Sequence, residues 1–189
     1  MQNGAEQALQ QENAADRSGD TGVKQSKTME FTEATTAEAA RARQIGALCW
    51  RMNWGRVEVL LVTSRDTGRW VIPKGWPMDG LSDADAATRE AWEEAGVMGE
   101  ARAEPLGAYR YDKRRKAKGP LPCSVTVYPL RVTGLAEFFP ERLERQRRWF
   151  TAAKAARKVA EPELRQMLEA IGADAARMAD RAKPGLDRA

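Results

Sequence analysis

The sequence of 189 residues contains no histidine. Ser-His-Asp and Cys-His nucleophile systems, histidine-ligated zinc and histidine phosphocarriers are therefore excluded, because each needs an imidazole. Cysteine is scarce as well. Cys49 and Cys123 are too few for a disulfide framework or a four-thiolate zinc site, and they read as small buried apolar residues. No apolar run approaches the roughly 20 residues that cross a bilayer, and Met1 to Gln11 lacks the apolar core of a signal peptide. The expectation is a cytoplasmic protein with no membrane partner. Acid–base chemistry is left to carboxylates, Lys, Tyr or Cys, and metal binding to oxygen or thiolate.

Aromatic residues are nearly missing from the first forty positions, where Phe31 stands alone among Gln, Asn, Ala, Thr, Ser and Glu. That stretch carries three basic and seven acidic residues, leaving 28 basic against 20 acidic in the remainder of a chain whose net charge is +4. A segment this poor in apolar residues cannot bury a core, so residues 1–40 are expected to be a disordered tail before a basic folded domain, 41–171. Residues 172–189, Ala- and charge-rich, read as a second tail or a frayed helix.

From Gln44 onward, short apolar runs bounded by turn residues predict strands at Gln44 to Arg51, Val57 to Thr63, Trp70 to Pro73, Leu106 to Tyr111, Ser124 to Thr133 and Arg148 to Phe150. Asn53-Trp54-Gly55 and Asp66-Thr67-Gly68 read as turns between the first three. One strong helix interrupts the strands. Ser82 offers a capping hydroxyl with Asp85 three residues on, Ala84 to Ala95 holds no Gly or Pro, and Gly96 supplies a left-handed stop. Further helices are expected at Thr151 to Val159 and, after Pro162, at Glu163 to Ile171. Trp50, Trp70, Trp92 and Trp149 sit among apolar neighbours and read as packing residues, whereas Trp76, in the loop before the strong helix, is placed to line a pocket.

On that helix Glu90, Glu93 and Glu94 share one face. They repel one another and lie near the helix C-terminus, where the macrodipole disfavours anions, so a cation is needed to compensate them. Hard divalent cations take carboxylate oxygens, and magnesium is usually held by one or two carboxylates together with substrate phosphates and water. The spacing extends beyond the three acids. Gly75-x5-Leu81-x7-Arg89-Glu90-Ala91-x-Glu93-Glu94-x-Gly96-Val97 resembles the Nudix box, Gly-x5-Glu-x7-Arg-Glu-U-x-Glu-Glu-x-Gly-U, at every fixed position except Leu81, where the box has glutamate.

The resemblance implies an α/β protein, the Nudix α/β/α sandwich with a mixed β-sheet, and a pyrophosphohydrolase activity. It implies Glu90 and Glu94 as ligands of Mg²⁺ or Mn²⁺ and Glu93 as the base for the attacking water. It further implies a later-loop acid, for which Glu137, Glu141 and Glu144 are available. With Leu81 in place of the box glutamate, Arg89 needs another partner, and Asp85, one turn earlier, is the nearest in sequence. The run Gly46 to Ser64, the segment Arg69 to Gly75 and the basic stretch Arg145 to Phe150 are similar to hydrolases of the diphosphoinositol polyphosphate and diadenosine polyphosphate type.

Basic residues add a substrate expectation. Arg110, Lys113, Arg114, Arg115, Lys116 and Lys118 crowd one stretch closed by Gly119 and Pro120, a loop able to offer cations to phosphates. Arg43, Arg51, Arg65, Lys74, Arg145 and Arg147 extend that field, since guanidinium groups suit bidentate phosphate contacts. The expected partner is a small, phosphate-rich molecule. Nucleic acid is disfavoured, with only Tyr109 and Tyr111 near the basic run to stack bases, though a 5′ triphosphorylated RNA end remains open. A silent nucleotide-sensing module of the same family would be expected to lose box glutamates, and all three are present here.

Overall fold

The computed structural model describes residues 41–115 and 119–173. The expected N-terminal tail, Lys116, Lys118 and the C-terminal stretch from 174 lie outside the described residues. In chain order the elements are β1 (Ala42–Asn53), β2 (Arg56–Thr63), β3 (Trp70–Val71), β4 (Lys74–Gly75), α1 (Asp83–Ala95), β5 (Val97–Ala101), β6 (Gly107–Lys113), β7 (Leu121–Leu135), β8 (Arg147–Thr151), α2 (Ala152–Ala156) and α3 (Pro162–Ala173).

The strands form one mixed sheet ordered β3-β2-β1-β7-β5, with β4 paired to β1, β6 to β7 and β8 to β2. The β1–β7 pair is parallel and the others are antiparallel. Alternation along β1 and β2 sends side chains to two cores, because successive residues of a strand face opposite sides. Ile45, Ala47, Cys49, Leu60 and Val62 pack with the alanines of α1, while Leu48, Trp50, Val57, Val59 and Leu61 pack with α2 and α3. Helices thus cover both faces of the sheet, the three-layer arrangement that the resemblance implies.

Helix α1 begins as its sequence predicts. Ser82 accepts the Asp85 N–H at 3.2 Å and donates its hydroxyl to the Asp85 carboxylate at 2.6 Å. It ends at Gly96, whose φ of 62° is the left-handed conformation that glycine adopts without strain. Ala84, Ala86, Ala87, Ala91 and Ala95 form its buried face, and these small side chains let the helix lie close against the sheet.

Several boundaries differ from the sequence reading, each for a local reason. Two short strands do not announce themselves: β4 is only Lys74 and Gly75, and β5 is five residues interrupted by Gly99. Strand β7 begins at Leu121, ahead of the expected Ser124, so it takes in Pro122, which with Gly119 and Pro120 reads as loop, and it runs on through Pro129. At Pro129 the strand changes partner, β6 pairing as far as Val127 and β5 taking over from Leu130, so the missing N–H falls in the gap between them. Thr151 belongs to β8, and α2 stops at Ala156. Trp92 is not packed inside; it stands on the outer face of α1 with the Arg89 guanidinium 5.4 Å above its ring.

Candidate active site

Strand β4 fixes the starting point of the site. It pairs with β1 and delivers the backbone of Lys74 and Gly75 to the C-terminal half of α1. The Lys74 N–H donates to Glu94 Oε2 at 3.2 Å. Gly75 is required by contact: a Cβ there would lie 1.8 Å from Glu90 Oε1 and 2.0 Å from its Cδ. Only a residue with no side chain lets the Glu90 carboxylate lie against this strand.

Glu94 is 4% exposed. Its Oε1 accepts from the buried Arg145, whose guanidinium also donates to Glu141 Oε2 and, at 2.9 Å, to the Thr63 carbonyl. Arg145 therefore joins the α1 acid to Glu141 of the β7–β8 loop, and a second strap holds that loop where the Glu141 N–H donates to the Glu93 carbonyl at 3.0 Å. Arg89 pairs with Glu93, one turn on, and not with Asp85, which is committed to Ser82. Leu81 projects into solvent, so the exchange at that box position leaves Arg89 free to pair along its own helix.

Burial, together with the charges of Glu94, Glu93 and Glu141, pushes the Glu90 carboxyl up to about 7. Burial likewise raises Glu94, opposed by Lys74 and Arg145. Burial is the main influence pulling the Lys74 ammonium below the ordinary lysine value, with Arg145 and Arg69 adding to it and Glu94 opposing. Among the described residues no three acidic or cysteine side chains stand gathered as a complete cation shell, since Glu93 is turned to Arg89 and Glu94 to Arg145. The donor set still suits a hard divalent cation, which needs only one or two carboxylates when phosphate and water complete its shell. The raised Glu90 marks uncompensated negative charge that such a cation would relieve.

A stability prediction follows from Glu90. Its folded-state pKa of about 7 exceeds the ordinary 4.5, so protonation favours the folded, chelator-treated protein. That contribution is complete below 4.5 and is lost as pH rises through about 7. Between about pH 5 and pH 8 the melting temperature of the wild type should fall relative to that of Glu90→Gln. A constant difference between the two curves would contradict it.

The acids line a cleft of about 560 Å³. Glu90, Glu93, Glu94 and Glu141 meet there with Arg65, Arg69, Lys74, Lys113, Arg114 and Arg145. Trp76, 42% exposed, also lines it, with the Lys113 ammonium 4.8 Å from its ring centroid. Of the cations read as substrate contacts, Arg65, Lys74, Arg114 and Arg145 are brought together in this cleft. Arg115 lines a neighbouring cavity shared with Arg65 and Arg114. Arg43 and Arg51 stand apart, Arg43 paired with Asp83, and Arg51 with Glu58 at 2.7 Å while stacked 4.1 Å over Trp149. Arg147 caps α1 by donating to the Ala95 carbonyl at 2.6 Å. Of the later-loop acids, Glu141 is the one in the cleft. Arg69 and Gln44 are lining residues that the sequence does not single out, since no spacing rule points to them, and Tyr111, read there only as a weak stacking surface, lines the cleft as well.

The NUDIX domain family matches residues 40–171. Nudix hydrolase 12, mitochondrial, of Arabidopsis thaliana is 38% identical over 103 residues, covering 53% of this chain and 51% of that protein. Diphosphoinositol polyphosphate phosphohydrolase 3-beta of Homo sapiens is 31% identical over 115 residues, covering 60% of this chain and 66% of that one. The chain thus spans about half to two thirds of the length of these curated relatives. In fold, the solved C. elegans Ap4A hydrolase binary complex is similar with a TM-score of 0.56 at 22% identity, covering 71% of this chain and 98% of that one. The E. coli dihydroneopterin triphosphate pyrophosphohydrolase follows with a TM-score of 0.53 at 19% identity, covering 71% and 97%.

Proposed function

The chain belongs to the NUDIX domain family, and on that premise we propose that it is a metal-dependent pyrophosphohydrolase cleaving a diphosphate linkage in a phosphate-rich substrate of the diphosphoinositol polyphosphate or diadenosine polyphosphate type. The observation that carries this reading is the composition of the cleft: the four glutamates, with Asp66 and Asp112, make six carboxylates beside six cationic side chains in one space of about 560 Å³. Carboxylates alone would repel a polyphosphate and cations alone would hold it without cleaving it. The likeness to diphosphoinositol polyphosphate phosphohydrolase 3-beta supports the substrate class.

Glu90 and Glu94 would hold Mg²⁺ or Mn²⁺, and a cation bound there would neutralise charge developing on the phosphate oxygens. The chain's own groups do the rest. Arg145 and the Lys74 N–H fix Glu94 in orientation. Arg89 holds Glu93, the candidate base for the attacking water, through the ion pair one turn along the helix. Arg65, Lys74 and Arg114 would take the phosphates.

Screening diphosphoinositol phosphates, diadenosine polyphosphates, nucleotide sugars, ADP-ribose, oxidised nucleoside triphosphates and 5′ triphosphate RNA with Mg²⁺ and Mn²⁺ tests this. Turnover should be greatest for the most phosphorylated members, and release confined to ADP-ribose or nucleotide sugars would overturn the substrate class. The exposed ring of Trp76 gives one reason to weigh the nucleotide branch, since a base could stack on it. Charge reversal in Arg114→Glu should raise KM about tenfold or more for the most phosphorylated substrate, the loss of one charge-assisted contact. An equal effect on ADP-ribose would count against it.

A further inference from the structure

Arg69 and Glu161 form a pair that the reaction described above does not use. Arg69 immediately precedes β3, and Glu161 immediately precedes α3 on the other side of the chain's path, 92 positions away. Arg69 Nη1 donates to Glu161 Oε1 at 2.6 Å. Glu161 is 5% exposed, and its second carboxylate oxygen is buried without a partner among the described residues. A buried carboxylate held by one hydrogen-bonded edge is costly, and only a fixed cation beside it and the positive end of a helix reduce that cost. Both are present, since the Arg165 N–H of the first turn of α3 donates to the Glu161 carbonyl.

The cation so fixed is not itself buried. The Arg69 side chain is about one-third exposed and lines the cleft that contains Glu90, Glu93 and Glu94. Its guanidinium carbon lies 5.7 Å from the Tyr111 ring centroid, and the Lys74 ammonium lies 5.5 Å from the same ring. Tyr111 is itself anchored, donating its hydroxyl to the buried Gln44 at 2.6 Å. One N–H of Arg69 is spent on Glu161, and a guanidinium has five. A long side chain normally loses rotamer freedom on gripping a ligand, and here that freedom is already lost to Glu161 and the ring.

We propose that Arg69 is a phosphate-binding, specificity-determining residue of the cleft and that Glu161 is its positioning residue. Arg69 takes a phosphate group of the substrate other than the diphosphate being cleaved, on the Tyr111 side of the site. The assignment rests on the phosphate-rich reading given above, and it adds a residue and a subsite to it.

The test measures binding apart from turnover. Two probes are used by calorimetry with Mg²⁺: methylenediphosphonate, which offers two phosphonates and no cleavable anhydride, and inositol hexakisphosphate, which is dense in phosphate but has no diphosphate. Arg69→Ala should weaken inositol hexakisphosphate roughly tenfold or more, the loss of a charge-assisted contact, and leave methylenediphosphonate within about twofold. Glu161→Gln should weaken the same probe by a smaller factor, and combining it with Arg69→Ala should add nothing, because both act through one guanidinium. On the favoured substrate KM should rise while kcat holds. Arg69→Lys, which keeps charge but loses the fork, should fall between wild type and Arg69→Ala. Loss of both probes together, or an additive double variant, would overturn the proposal, as would a lowered melting temperature with unchanged affinity. If the wild type binds methylenediphosphonate but not inositol hexakisphosphate, the phosphate-rich reading itself fails; if it binds both and Arg69→Ala changes neither, only the Arg69 assignment fails.

Discussion

Replacing Glu94 by glutamine should abolish nearly all turnover while leaving the protein folded. The carboxylate is buried against Arg145 and the Lys74 N–H, and removing one partner of a buried ion pair ordinarily costs about 3–5 kcal/mol. Here the penalty is smaller, because Arg145 keeps Glu141 and the Thr63 carbonyl, and a glutamine carbonyl can still accept the Lys74 N–H. Chemistry is not cushioned in this way, since the neutral amide holds a divalent cation poorly. Glu93→Gln removes the base and should lower kcat by roughly 10²- to 10⁴-fold. Rates measured at saturating Mg²⁺, beside melting curves, check both, and near-wild-type turnover in either variant would remove the assignment of the α1 acids.

Gly75→Ala should have the second largest effect, by a different route. Gly75 is not among the glycines with positive φ, so alanine suits its backbone and the whole consequence comes from the added methyl. That carbon would sit within 2.0 Å of the Glu90 carboxyl carbon. The obstacle is the far end of a flexible side chain, so the fold survives and the carboxylate swings away. The metal concentration giving half-maximal rate should rise about tenfold or more, in the range seen when a ligand's supporting contacts are lost, with kcat at saturating metal reduced and the melting temperature nearly unchanged. Direct Mn²⁺ titration of the variant separates this from a general loss of structure. Unaltered Mn²⁺ affinity would mean that Glu90 is not a ligand.

Much of the fold and the acids of the site were legible because both depend on local rules. Ser82, Asp85 and Gly96 mark the ends of α1 through bonds within a few residues, and the i, i+3, i+4 spacing alone places Glu90, Glu93 and Glu94 together. The cations were harder. Arg51, Arg65, Arg114 and Arg145 look alike in sequence, yet one stacks on Trp149 and three line the cleft, one of them, Arg145, as a buried link between Glu94 and Glu141. What separates them is which strand they face and which acid lies across from them, and that is fixed by pairings such as β2 with β8 that sequence spacing does not reveal. Asp85 illustrates the same limit at short range: its spacing from Arg89 is right, but the cap at Ser82 claims it first. Glu161 lies in an unremarkable Ala-Glu-Pro step, and only the tertiary meeting with Arg69 gives it a part.

The parallel neighbours β1 and β7 have a consequence for how the molecule is made. Ala42 faces Cys123 across that pair, so on a ribosome adding about 5–20 residues per second the inner edge of β1 waits several seconds for its partner. Before Leu121 emerges, β1 can pair only with β2 and β4, and β5 and β6 have no strand to join. Arg145 comes later still. A nascent chain therefore exposes an open strand edge and a finished acidic helix at once, and the guanidinium that orients Glu94 is among the last pieces to arrive.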